Sequence, residues 1–474
     1  MHGLYIIGAT IYWIITALTV IHVIMDNRQP AKTVAWAFMI VFLPFIGILL
    51  YIFFGVNTRK ERMVSQRSLD QLSKRSMVQY VQQQSLQLPD NHKALIDLYI
   101  NQNFALPFKD NEITLLSDGE QFFPALFHAI GQAHHHIHID LYIIEDDPLG
   151  YLVSDMLIDK ARQGVEVRLV YDDVGCFNVK HDFFERMRRE GIEVVPFLPV
   201  RFPSFTSKVN YRNHRKIIVI DGHIGFIGGM NVAMRYFKRE WHDTMVQVEG
   251  SSAYELQRAF LIDWYFADRT LISDKKYYPA LLPSAGEKKT AGSLAQVVTS
   301  SPTSPYPEIM QGYVHAISTA RNEILIETPY FLPNEPVLFA LKMAALRGTR
   351  VELIVPLRSD ARFVEWASRS YLREVAEAGV QVYLYNDGFI HSKLMVVDDT
   401  LATCGSTNID FRSFENNFES NIFIYDGRVA SQFREAFMND RQHATALTDI
   451  PERMKPSFWN HLLESITRML APLF

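Results

Sequence analysis

Two stretches of the chain carry one pattern of residues at one spacing. His214, Lys216, Asp221, Gly228 and Asn231 recur as His391, Lys393, Asp398, Gly405 and Asn408, with the same separation at every step. A duplication of this kind restricts the fold, because whatever the first copy builds the second must build again. The flanking segments repeat as well. Gly164–Tyr171 is echoed by Gly348–Val355, and Gly191–Val195 by Gly379–Tyr383. Each reads as a strand entered from a helix through a glycine. Apolar strands precede them at Ile137–Ile144 and Ile324–Ile326, and amphipathic stretches such as Pro336–Leu346 lie between. Strands alternating with helices predict two α/β units around largely buried sheets. Each copy is far too long for a solenoid repeat.

The pattern also has a chemistry. A His-x-Lys leading into Ile217–Ile220 or Leu394–Val397 predicts a strand, whose alternation puts imidazole and ammonium on one face. That arrangement suits a phosphate held beside a nucleophile. By the same parity Asp221 and Asp398 point to the opposite face, which predicts an orienting or structural part for them. The Gly-x-x-Asn turns let the backbone approach an anion, with the amides of Asn231 and Asn408 donating to its oxygens.

Two apolar runs precede this region. Gly3–Met25 and Thr33–Thr58 contain no Asp, Glu, Lys or Arg. Each is long enough to span a bilayer, which needs about 20 apolar residues, and the interruptions at Pro44 and Gly47 are tolerated in a membrane helix. The first run lacks the basic start and small-residue cleavage site of a signal peptide. Arg59, Lys60, Arg62, Arg67, Lys74 and Arg75 follow the second run, against Arg28 and Lys32 in the loop. The excess of bases predicts a cytoplasmic body and an outward hairpin loop. A net charge of −5 argues against a nucleic-acid binder working by bulk electrostatics. Cys176 and Cys404, the only cysteines, give neither a disulfide framework nor a metal-ligand spacing.

The doubled HxKxxxxD and Gly-x-x-Asn pattern resembles the signature of the phospholipase D superfamily. With the N-terminal hairpin, including Arg28–Pro30, Ala35, Trp36, Pro44, Gly47 and Tyr51, and with Thr328–Pro333, the chain is similar to the bacterial cardiolipin synthase family over essentially its whole length. The resemblance implies that His214 and His391 serve as nucleophile and general acid/base, and that Lys216, Lys393, Asn231 and Asn408 clamp phosphate. It places Asp221 and Asp398 in the catalytic motif and makes Asp243 and Glu419 the carboxylates that orient the histidines, each following its own half's turn. Departures are Gly229 where the second half has Ser406, and Asp243 standing one position further from its motif histidine than Glu419 does.

The implied reaction is transphosphatidylation: two phosphatidylglycerols give cardiolipin and glycerol through a phosphatidyl-histidine. One phosphodiester replaces another, so the scheme calls for no nucleotide, cofactor or metal. The implied partners are phosphatidylglycerol, other anionic phospholipids and the bacterial inner membrane, crossed more than once, with no nucleic acid. Hydrolytic phospholipase D, phosphatidylserine synthase and superfamily nucleases are the rivals, and a lipid-binding scaffold would need neither paired histidines nor paired lysines.

The expected organisation is a transmembrane hairpin at 1–58, a basic polar linker at 59–108, phospholipase D-like domains at 109–275 and 295–450 related by a pseudo-twofold, a linker at 276–294 between them, and an amphipathic C-terminal helix at 451–474. Arg201, Lys208, Arg212, Arg215 and Lys216 lie in a stretch free of acids, which predicts an electropositive approach for headgroups and favours His214 as the attacking histidine. His134–His136 reads as solvated polar residues rather than a metal site. Trp459, Leu462, Leu463, Ile466, Met469 and Leu470 recur at helical spacing opposite Asn460, Glu464 and Arg468, which suits either an interfacial helix or one packed on the body.

Overall fold

The computed structural model describes residues 2–26, 30–43, 45–55, 88–103, 105–200, 210–238, 240–278 and 292–471. Its first half contributes β1 (Phe108–Leu116), β2 (His136–Leu141), β3 (Glu166–Asp172), β4 (Glu193–Phe197), β5 (Arg212–Asn213), β6 (Lys216–Ile220), β7 (Ile224–Gly228), β8 (Trp241–His242) and β9 (Met245–Glu249). The second contributes β10 (Ser293–Ser300), β11 (Glu323–Glu327), β12 (Phe331–Leu332), β13 (Arg350–Pro356), β14 (Gln381–Tyr385), β15 (Phe389–Ile390), β16 (Leu394–Val397), β17 (Leu401–Gly405), β18 (Ile409–Asp410), β19 (Asn417–Ile424) and β20 (Ala444–Ala446).

One continuous sheet runs through both halves. From one edge inward its order is β4-β3-β2-β6-β7-β9-β1, and the mirrored order β10-β19-β17-β16-β11-β13-β14 follows, with β20 outside. The seam is the antiparallel pair β1–β10, with Phe108 opposite Ala295 and Asn111 opposite Ser293. Every strand of this order except β20 thus has its pseudo-twofold counterpart. β2 and β6 are buried at every position, as expected where helices cover both faces of a sheet. The glycines that open the strands, Gly164, Gly191, Gly348 and Gly379, have φ of 92°, 86°, 96° and 103°. This left-handed region costs a residue with a Cβ about 1–2 kcal/mol, and it turns each preceding helix back onto the sheet.

Part of the stretch expected as linker is core. In the helix Lys93–Asn103, Leu95, Ile96 and Tyr99 are buried among second-half residues such as Ile309, Tyr313 and Phe423. The basic residues of 59–75 lie outside the described residues.

The membrane part differs from two straight spans. The helix His2–Met25 contains the stretch Ile6–Met25, the one segment among the described residues long and apolar enough to cross a bilayer. The second apolar run breaks instead. The helix Pro30–Phe42 stops before Pro44, Phe45 takes φ 60°, and a short helix Ile46–Leu50 turns back. A Cβ on Gly47 would lie 2.2 Å from the Met39 carbonyl oxygen, so only glycine allows this return. Val23, Trp36, Ile40 and Tyr51 form a small core that joins the two runs.

Candidate active site

Short strands between the halves build the site. β5 pairs in parallel with the start of β19, putting Asn213 beside Phe418, and β8 pairs in parallel with β15, putting His242 beside Ile390. The next residues along each pair are His214 with Glu419 and Asp243 with His391. Backbone bonds fix them: His214 N–H donates to the Phe418 carbonyl at 2.9 Å and His391 N–H to the His242 carbonyl at 2.6 Å.

The carboxylates are therefore exchanged between halves, contrary to the expectation that each serves its own motif. His214 Nδ1 lies 3.0 and 3.1 Å from the carboxylate oxygens of Glu419. His391 Nδ1 lies 2.6 Å from Asp243 Oδ2. Spacing along the chain could not reveal this, because the pairing is made by two-residue bridges between distant segments. Each Nδ1–H given to a carboxylate leaves the Nε2 lone pair for chemistry.

The departures between the two halves acquire a reason. A Cβ on Gly229 would lie 2.1 Å from Asp243 Oδ1, so the first half has no room for a side chain there. Ser406, at the equivalent position, donates its hydroxyl to Glu419 Oε2 at 2.5 Å, and Asn417 Nδ2 donates to Oε1 at 3.0 Å. Asp243 instead accepts the Thr244 N–H at 2.8 Å.

Lys216 and Lys393 are buried, and each turns its ammonium to the carbonyl of its own motif histidine. Lys216 also lies 5.2 Å from the centre of the Tyr142 ring. Burial pushes Lys216 down to about 7 and also lowers Lys393. Burial lowers His214 against the pull of Glu419, while burial and then Lys393 push His391 down to about 3. Burial alone would raise the two carboxyls, but Lys393 and His391 beside Asp243, and His214 and Lys216 beside Glu419, hold both below the usual range. The combination describes neutral imidazoles on ionised carboxylates.

A cavity of about 390 Å³ opens onto both histidines and is also lined by Tyr142, Asn231, Tyr236, Trp241, Tyr330 and Asn408. Asn408 Oδ1 is buried without a partner. Asn231 is engaged, accepting from Ile143 N–H at 2.9 Å and donating to the Tyr236 hydroxyl at 2.6 Å. Trp241 and Tyr236 pack against His391 at ring distances of 5.2 and 6.1 Å, and Tyr142 against His214 at 5.0 Å. Sequence reasoning missed these aromatic residues and Asn417. Superposing the halves would have flagged Trp241 and Asn417, each two positions before its carboxylate.

Several other expectations change. Asp221 and Asp398, grouped with the catalytic residues, lie away from the cavity. Asp221 accepts the backbone N–H groups of His134, His135 and His136, and Asp398 those of Arg321, Asn322 and Glu323, at 2.7–3.0 Å. Both take φ near 50°. They tie the entrance of β2 or β11 to the end of the motif strand, the structural part that parity allowed. Asp221→Ala is expected to lower stability by about 2–3 kcal/mol, because it removes a carboxylate that accepts three backbone N–H groups and leaves alanine in left-handed backbone, with turnover per folded molecule unchanged. A denaturation midpoint and active-site-normalised kinetics check both.

Arg215 does not face a headgroup. It is buried, donates to Asp263 at 2.6 Å and to the Glu419 and Ser300 carbonyls at 3.1 and 3.0 Å. Arg212 lines the cavity beside Asp172, while Arg201 and Lys208 lie outside the described residues. Among the three adjacent histidines, His134 and His135 are exposed but His136 is buried against Gln257, so the expected solvated trio is only partly solvated. No group of three or more metal-ligating side chains occurs among the described residues. Cys176 and Cys404 are buried and free.

Comparison with known proteins gives a consistent result. A family model described as cardiolipin synthase, phospholipase D-like domain matches residues 126–264 and 313–441. A phospholipase D-nuclease N-terminal model matches 14–55. The chain is 35% identical to the major cardiolipin synthase ClsA of Bacillus subtilis over 480 residues, covering 98% of each chain. It is 36% identical to cardiolipin synthase 2 of Bacillus anthracis over 461 residues, covering 95% of this chain and 88% of the relative. Among solved structures, the phosphatidylserine synthase of Haemophilus influenzae shares the fold, with a TM-score of 0.63 at 16% identity over 81% of this chain and all of that one.

Proposed function

This chain belongs to the cardiolipin synthase family of phospholipase D-like enzymes, and on that premise we propose that it joins two phosphatidylglycerols into cardiolipin, releasing glycerol. It is a phosphatidyltransferase associated with the membrane. The observation that carries the reading is the pair of histidines, His391 buried and His214 partly buried, each held by a carboxylate from the other half and facing one cavity.

The charges suit a phosphodiester. With both imidazoles neutral and Lys216 protonated, which burial allows below about pH 7, the two lysines balance Asp243 and Glu419. A bound phosphodiester adds one negative charge, which favours uptake of one proton and leaves one histidine neutral and the other protonated. The neutral histidine attacks phosphorus through Nε2. The P–O bond to glycerol breaks as the protonated histidine gives its proton to the departing oxygen. That second histidine, now neutral, takes the proton of the incoming hydroxyl of another phosphatidylglycerol as it displaces the histidine, forming the new P–O bond. Lys216, Lys393 and the Asn408 amide stabilise charge on the non-bridging oxygens. We assign the attack to His214, which is less enclosed by aromatic rings than His391; the negative charge of the bound phosphodiester then has to raise His391 from about 3, where burial and Lys393 hold it in the empty site.

Purified full-length protein given phosphatidylglycerol alone is expected to yield cardiolipin and glycerol in equal amounts. Phosphatidic acid as the main product would replace transfer with hydrolysis. We further assign the catalytic halves to the cytoplasmic side of the bacterial inner membrane, with both apolar runs membrane-embedded, on the excess of bases after residue 58. Because the second run turns back at Phe45 and Gly47, Tyr51 lies beside Val23 near the end of the first helix, so a cysteine placed at Gln29 and a C-terminal tag are both expected to stay protected from an impermeant reagent applied outside. Labelling of Gln29 with the tag protected would show that the second run crosses instead, and labelling of both would invert the assignment.

A further inference from the structure

The C-terminal helix Phe458–Leu470 is packed the wrong way round for a helix in water. Its polar side faces the protein: Glu464 and Thr467 are 3% and 1% exposed, and Glu464 pairs with Arg373 at 2.6 Å. Arg468 donates to Glu374 at 2.6 Å and Ser370 at 3.1 Å, and its guanidinium lies 4.1 Å from the centre of the Tyr371 ring. All these partners sit on the helix Arg362–Glu377. The apolar side faces out, with Phe458, Trp459 and Met469 71%, 74% and 78% exposed and Leu462 and Ile466 also exposed. A soluble amphipathic helix buries the opposite stripe.

A second apolar stripe accompanies it. The helix Glu335–Leu346 exposes Phe339, Met343 and Leu346. Its Lys342 reaches Glu374 at 2.7 Å, the same carboxylate that holds Arg468. Two helices with outward apolar stripes are thereby tied to one residue of the helix Arg362–Glu377. The start of that helix, through Val364, lines the catalytic cavity, and ten residues of helix from Val364 to Glu374 span about 15 Å.

The same chain supplies the argument for what covers this face. Its N-terminal helix exposes Ile6, Ile7, Ile11, Trp13 and Ile14, an apolar surface that only a bilayer satisfies. The body is therefore held at a lipid surface. Exposed Lys455 and His461 beside Trp459 are polar companions suited to an anionic headgroup layer. We propose that the helix Phe458–Leu470 lies in the interfacial layer of the anionic bilayer, polar side on the protein and Phe458, Trp459, Leu462, Ile466 and Met469 among the upper acyl chains. It thereby holds the catalytic cavity against the membrane. That the bilayer also holds the substrate rests on the function proposed above; the docking itself does not.

The test reads depth rather than attachment, because the N-terminal helix already holds the protein to vesicles. Full-length Met469→Cys, and separately Phe458→Cys, is labelled with a small fluorophore and placed in phosphatidylglycerol–phosphatidylcholine vesicles. Lys180→Cys, on the opposite half, is the control, and native Cys176 and Cys404 are buried. Lipids brominated on the upper acyl chain are expected to quench both helix labels at least about twofold while leaving the control unchanged, and aqueous iodide to do the reverse. Iodide quenching of the helix labels equal to the control overturns the proposal. So does protection from iodide without quenching by brominated lipid, which would mean that a second copy of the chain covers the face. Neither readout needs turnover, so a failure of docking is separable from a failure of the enzymatic reading.

Discussion

Alanine at His214 or His391 is expected to lower cardiolipin formation by roughly 10⁴-fold, the upper range for loss of a positioned acid–base group and the order seen when a nucleophile's unit is broken. The double variant should be no slower than the slower single one, because the two imidazoles act as one device. The single variants should differ in their half-reactions. With His214 attacking, His214→Ala forms no trapped phosphatidyl-enzyme. His391→Ala still forms it from a donor whose leaving group needs no proton, then releases it slowly. Rapid-quench labelling with a chirally labelled phosphate reads both points. Retention at phosphorus is the expected outcome of two displacements, inversion without an adduct would mean direct transfer, and adduct only in His214→Ala would exchange the roles.

The largest expected effect on stability lies behind the site, at Arg215. Its side chain and that of Asp263 are 5% and 1% exposed. Asp140 is also close, its carboxyl raised by burial and by the charge of Asp263. Removing the guanidinium leaves a buried carboxylate unpaired beside another acid. Arg215→Ala is therefore expected to cost about 3–5 kcal/mol, as for other buried pairs broken on one side. Adding Asp263→Leu should recover most of the loss, since it removes the stranded charge. Chemical denaturation of the full chain in detergent measures both, and equal midpoints for Arg215→Ala and the parent would show that the pair contributes nothing.

Arg215 also marks where sequence reasoning reached its limit. The lack of acids from Val194 to Ile220 suggested bases free to meet a headgroup, yet the countercharge lies on a helix 48 residues along the chain. Strand parity suggested a structural part for Asp221 and Asp398, but both stand one residue past their strands in left-handed backbone, which parity does not describe. The strand-opening glycines and the buried strands were legible, because they declare themselves through periodicity and a turn residue. The exchange of carboxylates was not, since it depends on the two-residue bridges β5–β19 and β8–β15, which carry no pattern of their own. In the C-terminal helix, periodicity identified the two sides but not which one faces inward. That depended on Arg373 and Glu374, nearly a hundred residues upstream, offering ionic partners instead of an apolar groove. Pro44 and Gly47 hinted at the break in the second apolar run, but the extent of the return is set by Phe45 and by the contact of Gly47 with Met39.

The exchanged carboxylates constrain how such a chain can change over generations. A substitution at residue 419 is felt at His214, and one at residue 243 at His391, so selection on one half reads the genetic state of the other. The groups that have to stay matched are not the two halves but two interleaved sets, His214 with Glu419, Ser406 and Asn417, and His391 with Asp243 and Gly229. Recombination with a crossover between the halves would split both sets at once, leaving each imported histidine facing a carboxylate shaped for another. Two identical sets would carry no such penalty; it follows from glycine and aspartate standing in one half where the other has serine and glutamate, and it binds the two halves to a shared inheritance.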